Sequence, residues 1–162
     1  MQQAIVTVPN VQFYNAHPAA GDSRSELIEG LNKAQKSINP KWFYDAAGSE
    51  LFEEITTLPE YYPTRTELGI LRDNQQSIAA HCGSGCVFIE PGSGSSEKAR
   101  LLLDALRPAA YVPLDISADF LRESAERLGQ EYPWLQVNAV CADFNQGWPF
   151  PDDLPVGKRV VF

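Results

Sequence analysis

Cys86-Val87-Phe88-Ile89-Glu90-Pro91-Gly92-Ser93-Gly94-Ser95-Ser96-Glu97-Lys98 joins an apolar run, stopped by an acid, to a glycine and serine loop and then to the opening of a charged amphipathic segment. It reads as strand, loop, helix. The continuous Val-Phe-Ile fits a buried parallel strand with both faces covered, because a half-exposed strand would alternate apolar and polar residues. Gly92 and Gly94 let the backbone turn sharply and approach a ligand closely. Ser95 or Ser96 is placed to cap a helix over 97–106, in which Ala99, Leu102, Leu103 and Leu106 form one apolar stripe. A helix start of this kind favours an anionic ligand group.

A single Gly-x-Gly also fits a plain tight turn, so the surrounding sequence has to decide between turn and ligand loop. The next apolar run, Tyr111-Val112-Pro113-Leu114, ends in Asp115, at about the separation from the glycines where nucleotide-binding folds place an acid on ribose hydroxyls. The third glycine of the dinucleotide fingerprint is replaced by Glu97, which weakens a nicotinamide-dependent oxidoreductase.

The 162 residues suffice for one core, and a hydrophobic fraction of 44% is ordinary for a globular protein. A net charge of -8 argues against a nucleic-acid partner, whose phosphates are neutralised by Lys and Arg. No run has the length and apolarity of a membrane span, and the amino terminus lacks the basic-then-apolar pattern of a signal peptide, so a cytoplasmic setting without a membrane partner is expected. The three cysteines suit reduced thiols better than a disulfide framework. His81, Cys82 and Cys86 lack a nearby fourth ligand, so no metal is expected.

Taken in order, residues 1–21 read as an arm or a short edge strand, with alternation only over Ala4 to Val8. Ser23-Arg24-Ser25-Glu26 has capping-box spacing and predicts a helix to about Gln35, with Leu27, Ile28 and Leu31 on one face. Asn39-Pro40 breaks it ahead of Trp42-Phe43-Tyr44, and a short helix follows from Ser49 to Thr57. Leu58-Pro59-Glu60-Tyr61-Tyr62-Pro63 reads as a non-helical link, with Thr64-Arg65-Thr66-Glu67 as a second capping box opening a helix to about His81. Gly83-Ser84-Gly85 ends that helix. The aromatics fit core packing, or tyrosine hydroxyls facing a pocket.

Beyond the glycine loop the order is strand, helix, strand: Tyr111 to Leu114, Ala118 to Leu128 with Ser117 as cap, and Leu135 to Cys141 closed by Ala142-Asp143-Phe144. Arg159-Val160-Val161-Phe162 begins a fourth strand. Right-handed crossovers then make the sheet parallel, with ligand at the strands' carboxyl ends. Gly92, Gly94, Asp115 and Asp143 are expected to line one pocket there. Alone, either aspartate could equally be a solvated loop acid.

Lys41-Trp42-Phe43-Tyr44-Asp45-Ala46-Ala47-Gly48-Ser49-Glu50-Leu51-Phe52, Leu58-Pro59-Glu60-Tyr61-Tyr62-Pro63-Thr64-Arg65 and Glu90-Pro91-Gly92-Ser93-Gly94-Ser95-Ser96-Glu97-Lys98 together resemble the L-histidine N-alpha-methyltransferase family of ergothioneine biosynthesis. The similarity runs from about Ser37 to Phe162. It implies an α/β, Rossmann-like class I methyltransferase domain using S-adenosyl-L-methionine, which transfers three methyl groups to the histidine α-amine to give hercynine. Carried over by motif, Gly92 and Lys98 would hold the methionyl end of the donor, Asp115 the ribose, and Asp143 with Phe144 the adenine. Tyr44 and Tyr61 would belong to the histidine pocket, Tyr61 beside the imidazole. No residue is expected to act as a nucleophile, since a sulfonium methyl passes directly to a neutral amine.

Two features depart from the family pattern. Pro91 stands where an aliphatic residue is usual and removes a backbone donor beside the loop, which could shift the loop geometry. The family pattern also continues past the position matching Phe162, with a substrate-binding asparagine, the rest of the sheet and a substrate-binding insertion. The expected organisation is therefore a helical, substrate-side region over 1–82 followed by the first half of the donor-binding domain over 83–162. Such a chain is expected to be inactive alone, its incomplete parallel sheet completed by further sequence, a separate chain or a second copy. A non-catalytic donor-binding or assembly protein is the competing reading.

Overall fold

The computed structural model describes residues 8–16, 23–143, 147 and 150–162. The expected buried strand is β2, Val87–Pro91, whose residues Val87, Phe88 and Ile89 are at most 1% exposed. It pairs in parallel with β3, Ala110–Asp115, which pairs in parallel with β4, Gln136–Cys141. β5, Arg159–Val161, lies on the other side of β2, as expected for the fourth strand. An amino-terminal strand, β1, Val11–Asn15, completes a five-stranded sheet of order β1-β4-β3-β2-β5 among the described residues. The expected edge strand thus exists, but over Val11–Asn15. Ala4 to Thr7 lie outside the described residues.

Strand alternation splits the core in two. Phe88, Tyr111, Val137, Ala139 and Cys141 pack on one face against Leu71 and the stripes of the helices named below. Val87, Ile89, Val112, Leu114 and Val140 pack on the other with Leu154. α4, Glu97–Leu106, buries Ala99, Leu102, Leu103 and Leu106, the stripe read from the sequence. α5, Ala118–Glu131, buries Leu121, Ala125 and Leu128.

The amino-terminal helices depart more from expectation. α1 spans Ser23–Asn32, ending short of Gln35, and its apolar residues Ile28 and Leu31 are exposed. α2 starts earlier than expected, at Ala46–Thr56, because the Asp45 carboxylate accepts the Gly48 N–H at 2.8 Å and caps it. α3, Tyr62–Cys82, starts before its capping box: Pro63 occupies the first turn, where a missing N–H is harmless, so Thr64 caps nothing. Gly83 closes α3 at φ 84°, a conformation that favours glycine.

Pro91 is accommodated as the last residue of β2, in register with Leu114. The turn that follows is held by the N–H groups of Gly92 and Ser93, both donated to the Leu114 carbonyl at 2.8 and 3.0 Å.

One polar side chain fastens β1 to the rest. Asn10 Nδ2 lies 3.1 Å from the Gly129 carbonyl, 3.1 Å from that of Tyr132 and 2.8 Å from that of Leu135, at the carboxyl end of α5. Helix-end carbonyls lack intrahelical donors, so this amide supplies one to the Gly129 carbonyl in the last turn of α5, while the Tyr132 carbonyl also accepts the Leu135 N–H. Asn10→Ala should lower stability by about 1–2 kcal/mol in urea unfolding without changing the slope of the transition, since the loss concerns partly buried hydrogen bonds and not the exposed area.

Candidate functional site

The loop Gly92–Ser96 leaves β2 at its carboxyl end and faces a cleft of about 560 Å³. Gly92 and Gly94 have φ of 70° and 49°, so the permissiveness expected of these glycines is used. Ser96 also adopts a left-handed conformation, φ 58°, and its side chain does not cap α4, contrary to expectation. Its hydroxyl oxygen lies 3.0 Å from the Tyr111 hydroxyl instead. Ser117 precedes α5 but likewise makes no side-chain cap.

Asp115, at the end of β3, holds the loop. One carboxylate oxygen accepts the Gly94 N–H at 3.1 Å and the other accepts the Ser117 N–H at 3.0 Å. Each oxygen retains a lone pair for a ligand hydroxyl. Asp143 follows β4, is buried, and lines the same cleft. Gly92, Gly94, Lys98, Asp115, Asp143, Tyr44 and Tyr61 are thus brought to one cavity; Phe144 lies outside the described residues.

The opposite wall comes from α2, the start of α3 and a short 3-10 helix, Pro40–Phe43. Tyr44, Phe52 and Tyr61 form a row of edge-on rings, with centroids 6.2 and 6.1 Å apart. Tyr44 is 40% exposed and Phe52 36%, so this row faces the cleft and is not core. Phe52 escaped the sequence reading because an apolar residue on a short amphipathic helix looks like packing.

Among the described residues six carboxylates line the cleft, Glu53, Glu67, Glu90, Glu97, Asp115 and Asp143, against two lysines. Both lysines are paired. Lys98 Nζ lies 2.7 Å from Glu67, and Lys41 Nζ lies 2.8 Å from Glu26 and 3.4 Å from Asp143. The hydrogen bond to Glu26, aided by Asp143, raises the Lys41 pKa against the opposing effect of burial. Lys41 was legible only as part of a motif, since its partner is 102 positions away.

The electrostatic outlier is Glu90. Burial raises its carboxyl from 4.5 to about 7, although a hydrogen bond from Tyr111 and the charge of Lys98 act to lower it. The folded state thus binds a proton on Glu90 more tightly than the unfolded chain does, and this contribution to stability is complete below about pH 4.5 and is lost as pH rises through about 7. Glu90→Gln, which cannot ionise, should therefore gain stability relative to the parent at pH 8, on the order of 2 kcal/mol, and markedly less at pH 5, as read by thermal melts at both values.

Similarity to known proteins identifies the family. A family model described as histidine-specific methyltransferase, S-adenosylmethionine-dependent, matches residues 23–162. The histidine N-alpha-methyltransferase of Mycolicibacterium smegmatis is 46% identical over 161 residues, covering 96% of this chain and 49% of that protein. Ergothioneine biosynthesis protein 1 of Neurospora crassa is 42% identical over 108 residues, covering 64% of this chain and 12% of that protein. A 4-dimethylallyltryptophan N-methyltransferase of Claviceps purpurea is 32% identical over 135 residues, covering 80% of this chain and 39% of that protein. The chain spans about half the length of the mycobacterial relatives it matches. With the family model matching residues 23–162, a span that holds β2 to β5, the glycine loop and the aromatic wall, the chain belongs to the histidine-specific, S-adenosylmethionine-dependent methyltransferases.

Proposed function

We propose that this chain supplies the donor site and one wall of the substrate pocket of an enzyme that trimethylates the α-amine of L-histidine to hercynine, in ergothioneine biosynthesis. The observation carrying this reading is that the glycine loop, Asp115 and Asp143 share one cleft with the Tyr44, Phe52 and Tyr61 row. A donor site and an amine pocket must adjoin for direct methyl transfer.

The residues present suit S-adenosylmethionine. The cleft is large enough for such a ligand, and its six carboxylates favour a molecule carrying a sulfonium and an ammonium. The buried Ser93 hydroxyl lines the cleft and has no partner among the described residues, as expected of a group reserved for a ligand. When bound, the donor supplies an electrophilic methyl group.

The chain's own residues do the positioning. Asp115 would accept from the ribose hydroxyls with the lone pairs left over from Gly94 and Ser117. Asp143 would accept from the exocyclic adenine amine, with Lys41 fixing that carboxylate. Gly92 exposes backbone to the methionyl end, and Lys98, held by Glu67, would meet its carboxylate. On the opposite wall, Tyr44 and Tyr61 would seat histidine, Tyr61 against the imidazole. The ring faces favour the ammonium that accumulates methyl groups, because a cation is attracted to the π-face. Cleft carboxylates offer places for the amine proton to go before each transfer.

Asp115→Ala should weaken S-adenosylhomocysteine binding by about tenfold to hundredfold in calorimetric titration, the loss of one or two charge-assisted hydrogen bonds. Undiminished affinity would remove the ribose role. Mass spectrometry of histidine incubated with the protein and S-adenosylmethionine should show gains of one, two and three methyl groups. Intact donor binding with no methylated histidine would favour a non-catalytic donor-binding protein.

A further inference from the structure

Tyr111 was expected only as the first residue of an apolar strand, yet it is fully buried and its hydroxyl is the centre of a polar cluster. It donates to the Glu90 carboxylate at the end of the neighbouring strand, β2. With its proton committed there, its oxygen is free to accept from Ser96, whose Oγ lies 3.0 Å away. One hydroxyl on β3 therefore joins the acid that precedes the glycine loop to the serine that ends it.

The two partners are otherwise poorly secured. Glu90 is 5% exposed yet lines the cleft, so its carboxylate has little water to stabilise it. Ser96 is 1% exposed and holds a left-handed backbone conformation that costs a non-glycine residue about 1 kcal/mol or more. A partner for its hydroxyl helps to keep it there.

We propose that Tyr111 is a positioning residue of the donor site: by holding the Glu90 carboxylate and the Ser96 hydroxyl at once, it aims a negative charge from the cleft floor at the ammonium of the donor's methionyl group. This rests on the donor-site reading above. Other charged groups act on the same cluster. Lys98 from α4 favours the ionised carboxyl, Glu67 from α3 and Asp115 from β3 oppose it, and Arg100 from α4 acts on the Tyr111 hydroxyl. The Tyr111 hydrogen bond falls on the side of ionisation, so its removal keeps Glu90 protonated to higher pH. Burial, the charge of Glu90 and the hydrogen bond to it also hold the Tyr111 hydroxyl protonated well above its ordinary range, so it stays a donor throughout.

The test is calorimetric titration from pH 5.5 to 8 with two ligands, S-adenosylhomocysteine, which carries the ammonium, and 5′-methylthioadenosine, which lacks it. For the parent, affinity for S-adenosylhomocysteine should rise about tenfold across this range, with its midpoint near pH 7, while methylthioadenosine stays flat. Tyr111→Phe should move the midpoint upward and weaken S-adenosylhomocysteine severalfold at pH 7, leaving methylthioadenosine unchanged. Glu90→Gln should flatten the pH dependence of S-adenosylhomocysteine, independently of how well Tyr111→Phe folds. Parallel loss of both ligands in Tyr111→Phe, or an unchanged pH profile in both variants, would overturn the proposal. Failure of both ligands to bind the parent would instead overturn the donor-site reading.

Discussion

The carboxylate of Asp115 is the tie on which the site depends. It takes the N–H of Gly94 with one oxygen and that of Ser117 with the other, so the loop after β2 and the turn after β3 share a single anchor. This is feasible because β2 and β3 run parallel in register from Val87 opposite Ala110 to Pro91 opposite Leu114, which brings both strand ends to the same level. The Leu114 carbonyl, taking two further N–H groups from the loop, makes the same junction from the backbone side. The loop is thus tied to the buried end of β3 by both side chain and backbone.

A cleft lined by several carboxylates is an unfavourable thing to fold unless something offsets the repulsion. Part of the offset is local pairing, Lys98 with Glu67 and Lys41 with Glu26 and Asp143. Another part is protonation of Glu90, whose carboxyl is raised to about 7 by burial. A cationic ligand would supply the remainder.

Lys41 gives the amino-terminal helices a reason to sit where they do. Its ammonium bridges α1 and the end of β4, through Glu26 and Asp143, and it stands at the head of the segment that leads into Tyr44 and Phe52. The pair with Asp143 is mostly buried and is screened less by salt than a surface pair would be. Placement of the aromatic wall is thus linked to Asp143, which lines the same cleft. The exposed Ile28 and Leu31 fit a helix held by such a specific contact more than by a buried stripe.

The apolar run before Glu90, the stripe of α4 and the acids closing β3 and β4 were legible in the sequence because burial on a strand or helix face is written at periods of two or 3.6 residues. Three ordered motifs carried the family. Helix starts were partly legible: α4 and α5 begin directly after Ser96 and Ser117 as read, although neither hydroxyl makes the cap bond, while Asp45 and Pro63 start α2 and α3 ahead of the positions read, since a hydroxyl caps only if no better partner lies near. For Ser96 that partner is Tyr111. Asn10 with the end of α5, Lys41 with Asp143, and Tyr111 with Glu90 were decided by tertiary structure alone. Each joins residues 21 to 125 positions apart. No local period encodes such a pairing; the strand order β1-β4-β3-β2-β5 creates it by bringing distant strand ends side by side.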